Sequence, residues 1–332
     1  MVAKRKPGQQ YDGLLAIGDP HIESRQPGFR CDDYANVILD KLRWCFNYAI
    51  QNNLLPMLLG DLFDKPRDNP NWLITQLIGM MQSIEVVGIF GNHDCAEVTL
   101  TENDSLSILI QSGCLTLVDE KSPWVGEMNG RQVLVGGSSY RARVPDSIEL
   151  PPRKNLFEES SFAVWMTHHD ISMVGYDGVG RFSPFEIENV DLLINGHIHR
   201  RLDSVTKGQT TWVTPGNISR RSRSEANRIH VPSVLRIDVQ PTEHSMSYIE
   251  IPHQPAAEVF HEAVLQPAEE TDPARFVDGL KELQTRRTES GAGLHQFLDL
   301  NLSQFDDAVA SEIWSLAEKV TDRPSEKEVA NG

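Results

Sequence analysis

The chain has 332 residues, 39% of them hydrophobic and 23% charged, with 23 Gly and 19 Pro. This is the composition of an ordinary globular protein and excludes a disordered or fibrous one. A formal net charge of −16 argues against non-specific nucleic-acid binding by the protein as a whole. No apolar run approaches the ~18 residues that span a bilayer, and the stretch from Met1 to Gln10 lacks the apolar core of a secretory signal. A cytoplasmic protein is therefore expected.

Leu14-Leu15-Ala16-Ile17 reads as a buried strand stopped by Gly18-Asp19-Pro20. From Asp33 to Asn52 the apolar residues Ile38, Leu42, Phe46 and Ala49 recur on one helical stripe. A second buried strand, Leu54 to Leu59, ends in Gly60-Asp61. Trp72 to Gln82 is expected to be helical, and Ile84 to Phe90 is a third strand ending in Gly91-Asn92-His93-Asp94. Ser105 to Gln111 predicts a short helix with Gly113 just past its end.

Beyond this point strands dominate: Gln132 to Val135, Phe162 to Met166, Asp191 to Ile194, Thr211 to Thr214 and Val234 to Val239. The whole predicts an α/β fold, a layered α-β-β-α sandwich with polar loops at the strand ends, where ligand sites collect. A smaller unit is expected over residues 245–332, leaving 1–244 as the larger domain. Ser247 to Ile251 would open it as a strand, and Asp272-Pro273 would start a helix. A further strand, Gln296 to Leu302, and an amphipathic helix through Phe305, Val309, Ile313, Leu316 and Val320 would complete it. More than half of the excess negative charge lies in this last quarter, from Gln254 onwards. Cys31, Cys45, Cys95 and Cys114 form no CxxC pair and read as reduced structural thiols.

Five short stretches each follow an apolar strand directly: Asp19-Pro20-His21, Gly60-Asp61, Gly91-Asn92-His93-Asp94, Thr167-His168-His169 and Gly196-His197-Ile198-His199. Strand ends on one sheet edge converge in space. Here they offer two carboxylates, an amide and several imidazoles to one point. Oxygen and nitrogen donors without thiolates suit borderline divalent ions such as Mn, Fe or Zn. Two ions ~3.5 to 4 Å apart need a shared ligand, and a carboxylate serves; Asp61 is the natural bridge. Such a pair polarises a phosphoryl group and makes hydroxide available near neutral pH. Taken singly, each of these histidines reads more readily as a structural or surface residue; the ordered set does not.

Asp-x-His, Gly-Asp, Gly-Asn-His-Asp, His and Gly-His-x-His in this order resemble the signature of the calcineurin-like metallophosphoesterases, over about Leu14 to His199. The resemblance implies two divalent ions, Mn foremost. Asp19, His21 and His199 would hold one, Asn92, His168 and His197 the other, and Asp61 would bridge them. His93 would contact the scissile phosphate or protonate the leaving oxygen, with Asp94 orienting it. His168 and His169 are adjacent, and on an alternating strand only one should face the ions; the family pattern favours His168.

Thr214-Pro215-Gly216-Asn217 followed by Glu225 resembles a segment of the SbcD nuclease subunits, which process DNA ends beside an ATPase partner and carry a small capping domain. That resemblance implies a DNA nuclease, an SMC-like ATPase partner of the SbcC type or a homodimer, and no membrane. The segment from Arg200 to His230 is basic, and Arg220, Arg221, Arg223 and Arg228 are candidate nucleic-acid contacts, as are Arg141 and Arg143. They read equally as a solvated loop. A small nucleotide or a phosphoprotein is the alternative substrate, and a non-catalytic scaffold the third reading.

Overall fold

The computed structural model describes residues 10–27, 30–150, 161–176, 180–221, 228–260 and Ile313. The chain divides into two compact units, Met1–Glu262 and Ala263–Gly332. The second contributes only Ile313, a helical and half-buried position. The remainder of the smaller unit expected from Asp272 onwards lies outside the described residues.

Two six-stranded sheets carry the first unit. In chain order the strands are β1 (Gly13–Ile17), β2 (Leu54–Leu58), β3 (Val87–Gly88), β4 (Thr116–Leu117), β5 (Trp124–Met128), β6 (Arg131–Ser138), β7 (Phe162–Thr167), β8 (Leu192–Asn195), β9 (Val205–Lys207), β10 (Thr210–Val213), β11 (Ser233–Val239) and β12 (His244–Glu250). The first sheet runs β12-β11-β1-β2-β3-β4 and the second β5-β6-β7-β8-β10-β9. In both, the central strands are parallel and antiparallel strands close one or both edges. Parallel strands covered on both faces need unbroken apolar sequence, and β1, β2, β7 and β8 are buried at every position.

Between the sheets lies an apolar core that includes Leu14, Ala16, Met57, Val87, Val133, Val164, Ile194 and Ile237. The outer face of the first sheet is covered by α1 (Tyr34–Gln51), α2 (Asn71–Met81) and α3 (Ser105–Gln111). Asp33 caps α1, its side chain accepting from the Asn36 N–H. On the outer face of the second sheet, Trp165 and Trp212 pack among loop residues such as Ile148, Ile171, Ile187 and Leu202. The expected α/β sandwich is therefore present. Among the described residues no helix is long and apolar enough to cross a membrane.

Two differences from expectation have physical causes. β12 was assigned by its alternation to the smaller unit, but it pairs with β11 along seven residues and is the edge of the first sheet. The division expected at 244/245 thus gives way to one after Glu262. β4, β5 and β9 are absent from the expected strands, although β5 and β9 are each joined to a neighbour by a tight turn. Asn129 and Gly130 both adopt positive φ, 49° and 81°, between β5 and β6, which is the requirement of a two-residue hairpin.

α1 also braces the loop behind the strand ends. Lys41 lies on its buried stripe and donates from Nζ to the Ile218 carbonyl at 2.7 Å. Ile218 in turn donates its N–H to Gly18, directly before Asp19. Burial, with the charges of Arg220 and Arg30 nearby, pushes the Lys41 ammonium down to about 7. A folded-state value below that of the unfolded chain means the unfolded state holds the extra proton between the two. Stability contributed at this site is absent below about pH 7 and grows toward pH 10. Denaturant titrations of the wild type and Lys41→Met from pH 6 to 10 should show their stability difference changing in the wild type's favour, at up to about 1.4 kcal/mol per pH unit. A difference independent of pH would refute the assignment.

Candidate metal centre

The C-terminal ends of β1, β2, β3, β7 and β8 open onto one cluster of loops. The loops after β1 and β2 are laced by His21 N–H to Asp61 O at 2.9 Å, Ile22 N–H to Leu62 O at 2.9 Å and Asp64 N–H to Ile22 O at 3.0 Å. Tyr34 donates its hydroxyl to the His21 carbonyl at 3.0 Å, and Ser219 donates to the Asp19 carbonyl at 3.1 Å. Asp19, His21, Asp61 and His197 all sit at positive φ, at 36°, 45°, 47° and 68°. These are left-handed conformations, uncommon for residues that carry a side chain, and here four of them gather at one cluster of loops. A side chain at Gly91 is excluded, because a Cβ there would meet Asp61 Oδ1 at 2.1 Å.

Asp61 is the hub. Its Oδ1 accepts the His93 backbone N–H at 2.8 Å, and its Oδ2 lies 3.2 Å from His168 Nε2 and 3.5 Å from His21 Nε2. Two groups of potential ligands share it: His21, Asp61 and His93, and Asp61, His168 and His197. Asn92 Oδ1 stands 3.2 Å from His168 Nε2 and 3.0 Å from His197 Nδ1. His21 and His199 turn their Nε2 atoms toward each other at 2.9 Å. All seven expected metal-site residues, Asp19, His21, Asp61, Asn92, His168, His197 and His199, thus fall in one connected set.

His168 is the member of the His-His pair that faces this set. Its Nδ1 donates to the Leu59 carbonyl at 2.7 Å, which leaves Nε2 as the ligand atom. His169 points elsewhere, with Nε2 donating to the Ala142 carbonyl at 2.8 Å.

The charges are unbalanced in a way a cation would correct. Asp19 Oδ2 is buried and has no hydrogen-bond partner. Burial, aided by Asp61 and opposed by His168, pushes the Asp19 carboxyl up to about 7. Burial would do the same to Asp61, but His168, His21 and His93 hold it well below the usual carboxylate range. Burial lowers His168, yet Asp61 and Asp19 outweigh it and raise the ring to about 9. Burial holds His197 down at about 3 and lowers His199 well below the usual imidazole value. The neutral imidazoles of His197 and His199, with carboxylates and an amide around an unpartnered carboxylate oxygen, fit divalent ions that would displace the extra proton of His168, and no thiolate takes part.

His93 stands at the rim with a side chain 34% exposed, and its support differs from the expectation. Asp94 does not orient it. The Asp94 carboxylate is buried and accepts the Gly91 N–H at 2.9 Å and the Phe63 N–H at 3.0 Å, so it braces the loop. The residue that sequence reasoning missed is Asp64. Its carbonyl accepts from His93 Nδ1 at 2.8 Å, and its carboxylate lies 3.5 Å from the same nitrogen. The signal was present as a second acid three residues after Asp61 in Gly-Asp-Leu-Phe-Asp.

The arginines are corrected as well. Arg220 is buried at 4% exposure and donates to the carbonyls of His230 and Gln254, so it cannot reach a phosphate. Arg221 clasps Asp64, at 2.7 and 2.8 Å, and reaches Glu23 at 3.3 Å. Arg228 is exposed, and Arg223 lies outside the described residues.

Replacing Asp61 with Asn should abolish binding of both ions together, because both groups of ligands use it. Metal analysis of the purified variant after Mn²⁺ loading checks this, and retention of two ions per chain would overturn the shared-ligand assignment.

Among curated proteins no match is found. Among solved structures, a hypothetical protein from Thermus thermophilus is 13% identical at a TM-score of 0.41, covering 72% of this chain and 99% of that one. The Thermus thermophilus sulfate thiohydrolase SoxB, in complex with glycerol, is 13% identical at a TM-score of 0.37, covering 74% and 57%. A conserved uncharacterized protein and predicted phosphoesterase from Streptococcus pneumoniae is 11% identical at a TM-score of 0.33, covering 76% and 94%. The pattern of the calcineurin-like phosphoesterases matches residues 14–201, over half of the chain and every ligand-bearing loop from Asp19 to His199, and the protein belongs to that family.

Proposed function

We propose that the protein is a metal-dependent phosphodiesterase that cleaves DNA, a nuclease of the SbcD kind. Family membership makes it a hydrolase of phosphoester bonds. The observation that carries the reading is the sharing of Asp61 between two groups of potential ligands, in the first of which the ring of His93 stands at the solvent edge. Two divalent ions there, Mn foremost, would supply Lewis-acid polarisation of the phosphoryl oxygens and an activated water.

The chain's own residues do the rest. The Asp64 carbonyl can only accept, so His93 Nδ1 carries a proton. Nε2 is then the atom turned to the substrate, placed to donate to the departing oxygen. The Asp64 carboxylate provides the counter-charge when the ring bears both protons, and Arg221 holds that carboxylate through a hydrogen bond to Oδ2 and an ion-pair contact with Oδ1. The partners proposed with this reading are an SMC-like ATPase of the SbcC type and a second copy of the chain.

One observation favours a smaller substrate. Two of the four arginines expected to line a DNA path, Arg220 and Arg221, are committed to internal contacts. A nucleotide or other small phosphodiester needs no such path. A panel with Mn²⁺ comparing linear duplex DNA, single-stranded DNA and small phosphodiesters separates the two. Cleavage confined to the small substrates would replace the nuclease reading.

His93→Ala should lower turnover by about 10²- to 10⁴-fold, the range for loss of a general acid, while metal content stays at two ions. Full DNA cleavage by the metal-loaded variant would refute the role of His93.

A further inference from the structure

β7 and β8 pair in parallel as far as Thr167 and Asn195, the last residue of each. Beyond them each chain carries a metal-site residue, His168 on one and His197 on the other. One more backbone bond, Gly196 N–H to the Thr167 carbonyl at 2.8 Å, closes the ladder. After it, the main chain of His169 is paired by a side chain instead. Asn195 Oδ1 accepts the His169 N–H and Asn195 Nδ2 donates to the His169 carbonyl, both at 3.0 Å. Thr167 Oγ1 donates to the same Oδ1 at 2.8 Å. The two backbone partners fix which end of the amide is oxygen and which is nitrogen.

The Asn195 amide thus does what a further strand residue would do, offering His169 a carbonyl and an N–H at once. The main chain after β8 is thereby free to turn away. Gly196 follows, where a Cβ would meet the Leu59 carbonyl at 2.5 Å and His168 Nδ1 at 2.9 Å. His197 then takes φ 68° and gives its N–H to Asp19 Oδ1 at 3.1 Å. The rings of His168 and His197 end 5.2 Å apart, centre to centre, both within reach of Asn92 Oδ1. Thr167, His168 and Asn195 are all buried, so loss of the amide would strip the His169 N–H and carbonyl of a buried partner.

We propose that Asn195 is a positioning residue for one half of the centre. It sets the spacing of His168 and His197, and with it the affinity of the group Asp61, His168 and His197 for its ion, while the other ion is unaffected. This rests on the two-ion centre of the phosphodiesterase reading and holds whatever the substrate. Partners that orient metal-binding side chains change metal affinity by about 10- to 100-fold. The His21 loop is held by other bonds, to Asp61, Leu62 and Tyr34, so Asn195 has no hand in it.

The test titrates the full chain, stripped of metal, with Mn²⁺ alone and follows binding by electron paramagnetic resonance, which separates a lone bound ion from an exchange-coupled pair. In Asn195→Leu one dissociation constant should rise by about 10- to 100-fold while the other changes by less than about twofold, and the coupled signal should need correspondingly more Mn²⁺. In a His197→Ala background, where the affected group has already lost a ligand, Asn195→Leu should leave the remaining tight ion unchanged. Thr167→Val, which removes a single bond to the amide, should move the same constant in the same direction, and Thr167→Ser, which keeps the hydroxyl, should restore it. That pair decides the matter should Asn195→Leu fail to fold. Both constants rising together, or neither moving, would overturn the proposal. A wild type that binds fewer than two Mn²⁺ per chain would instead overturn the two-ion reading.

Discussion

Four carboxylates, those of Asp19, Asp61, Asp64 and Asp94, are withdrawn from water within one cluster of loops, and the architecture around them answers that crowding. An unpaired buried charge is among the most destabilising features a fold can carry. Asp94 is answered by two backbone N–H groups, and Asp64 by Arg221. Asp61 is answered by the His93 N–H and by the rings of His168 and His21. Only one oxygen of Asp19 is met, by the His197 N–H. What is left over is negative charge shaped for cations, so metal binding and the electrostatic closure of this region are one event.

The two sheets divide this work. Asp19, His21, Asp61 and Asn92 hang from strands of the first, while His168, His197 and His199 hang from strands of the second. The interleaved apolar layer between the sheets sets their spacing. Close-packed interiors resist small displacements, so residues such as Met57, Val164 and Ile194 hold the two half-sites in register without touching a ligand.

Much of this was legible in the sequence. Each ligand-bearing loop follows an apolar run that the fold uses as a buried parallel strand, so the order of motifs already implied their convergence. Strand alternation implies that only one of His168 and His169 faces the ions, and the family pattern points to His168. The rest was hidden for specific reasons. Nothing in the spacing distinguishes Asp94, three residues from Gly91, from Asp64, three from Asp61; only their hydrogen bonds reveal which one serves His93. The arginine run was read by charge alone, but the fold buries Arg220 and engages Arg221. β12 shows that period-two alternation identifies a strand without saying which sheet it joins.

The left-handed backbone at Asp19, His21, Asp61 and His197 has an evolutionary reading. Each of these positions would be more comfortable as glycine or asparagine, so the polypeptide would gain robustness by discarding its ligands. A lineage released from the need to hydrolyse anything would drift toward sturdier, inert descendants.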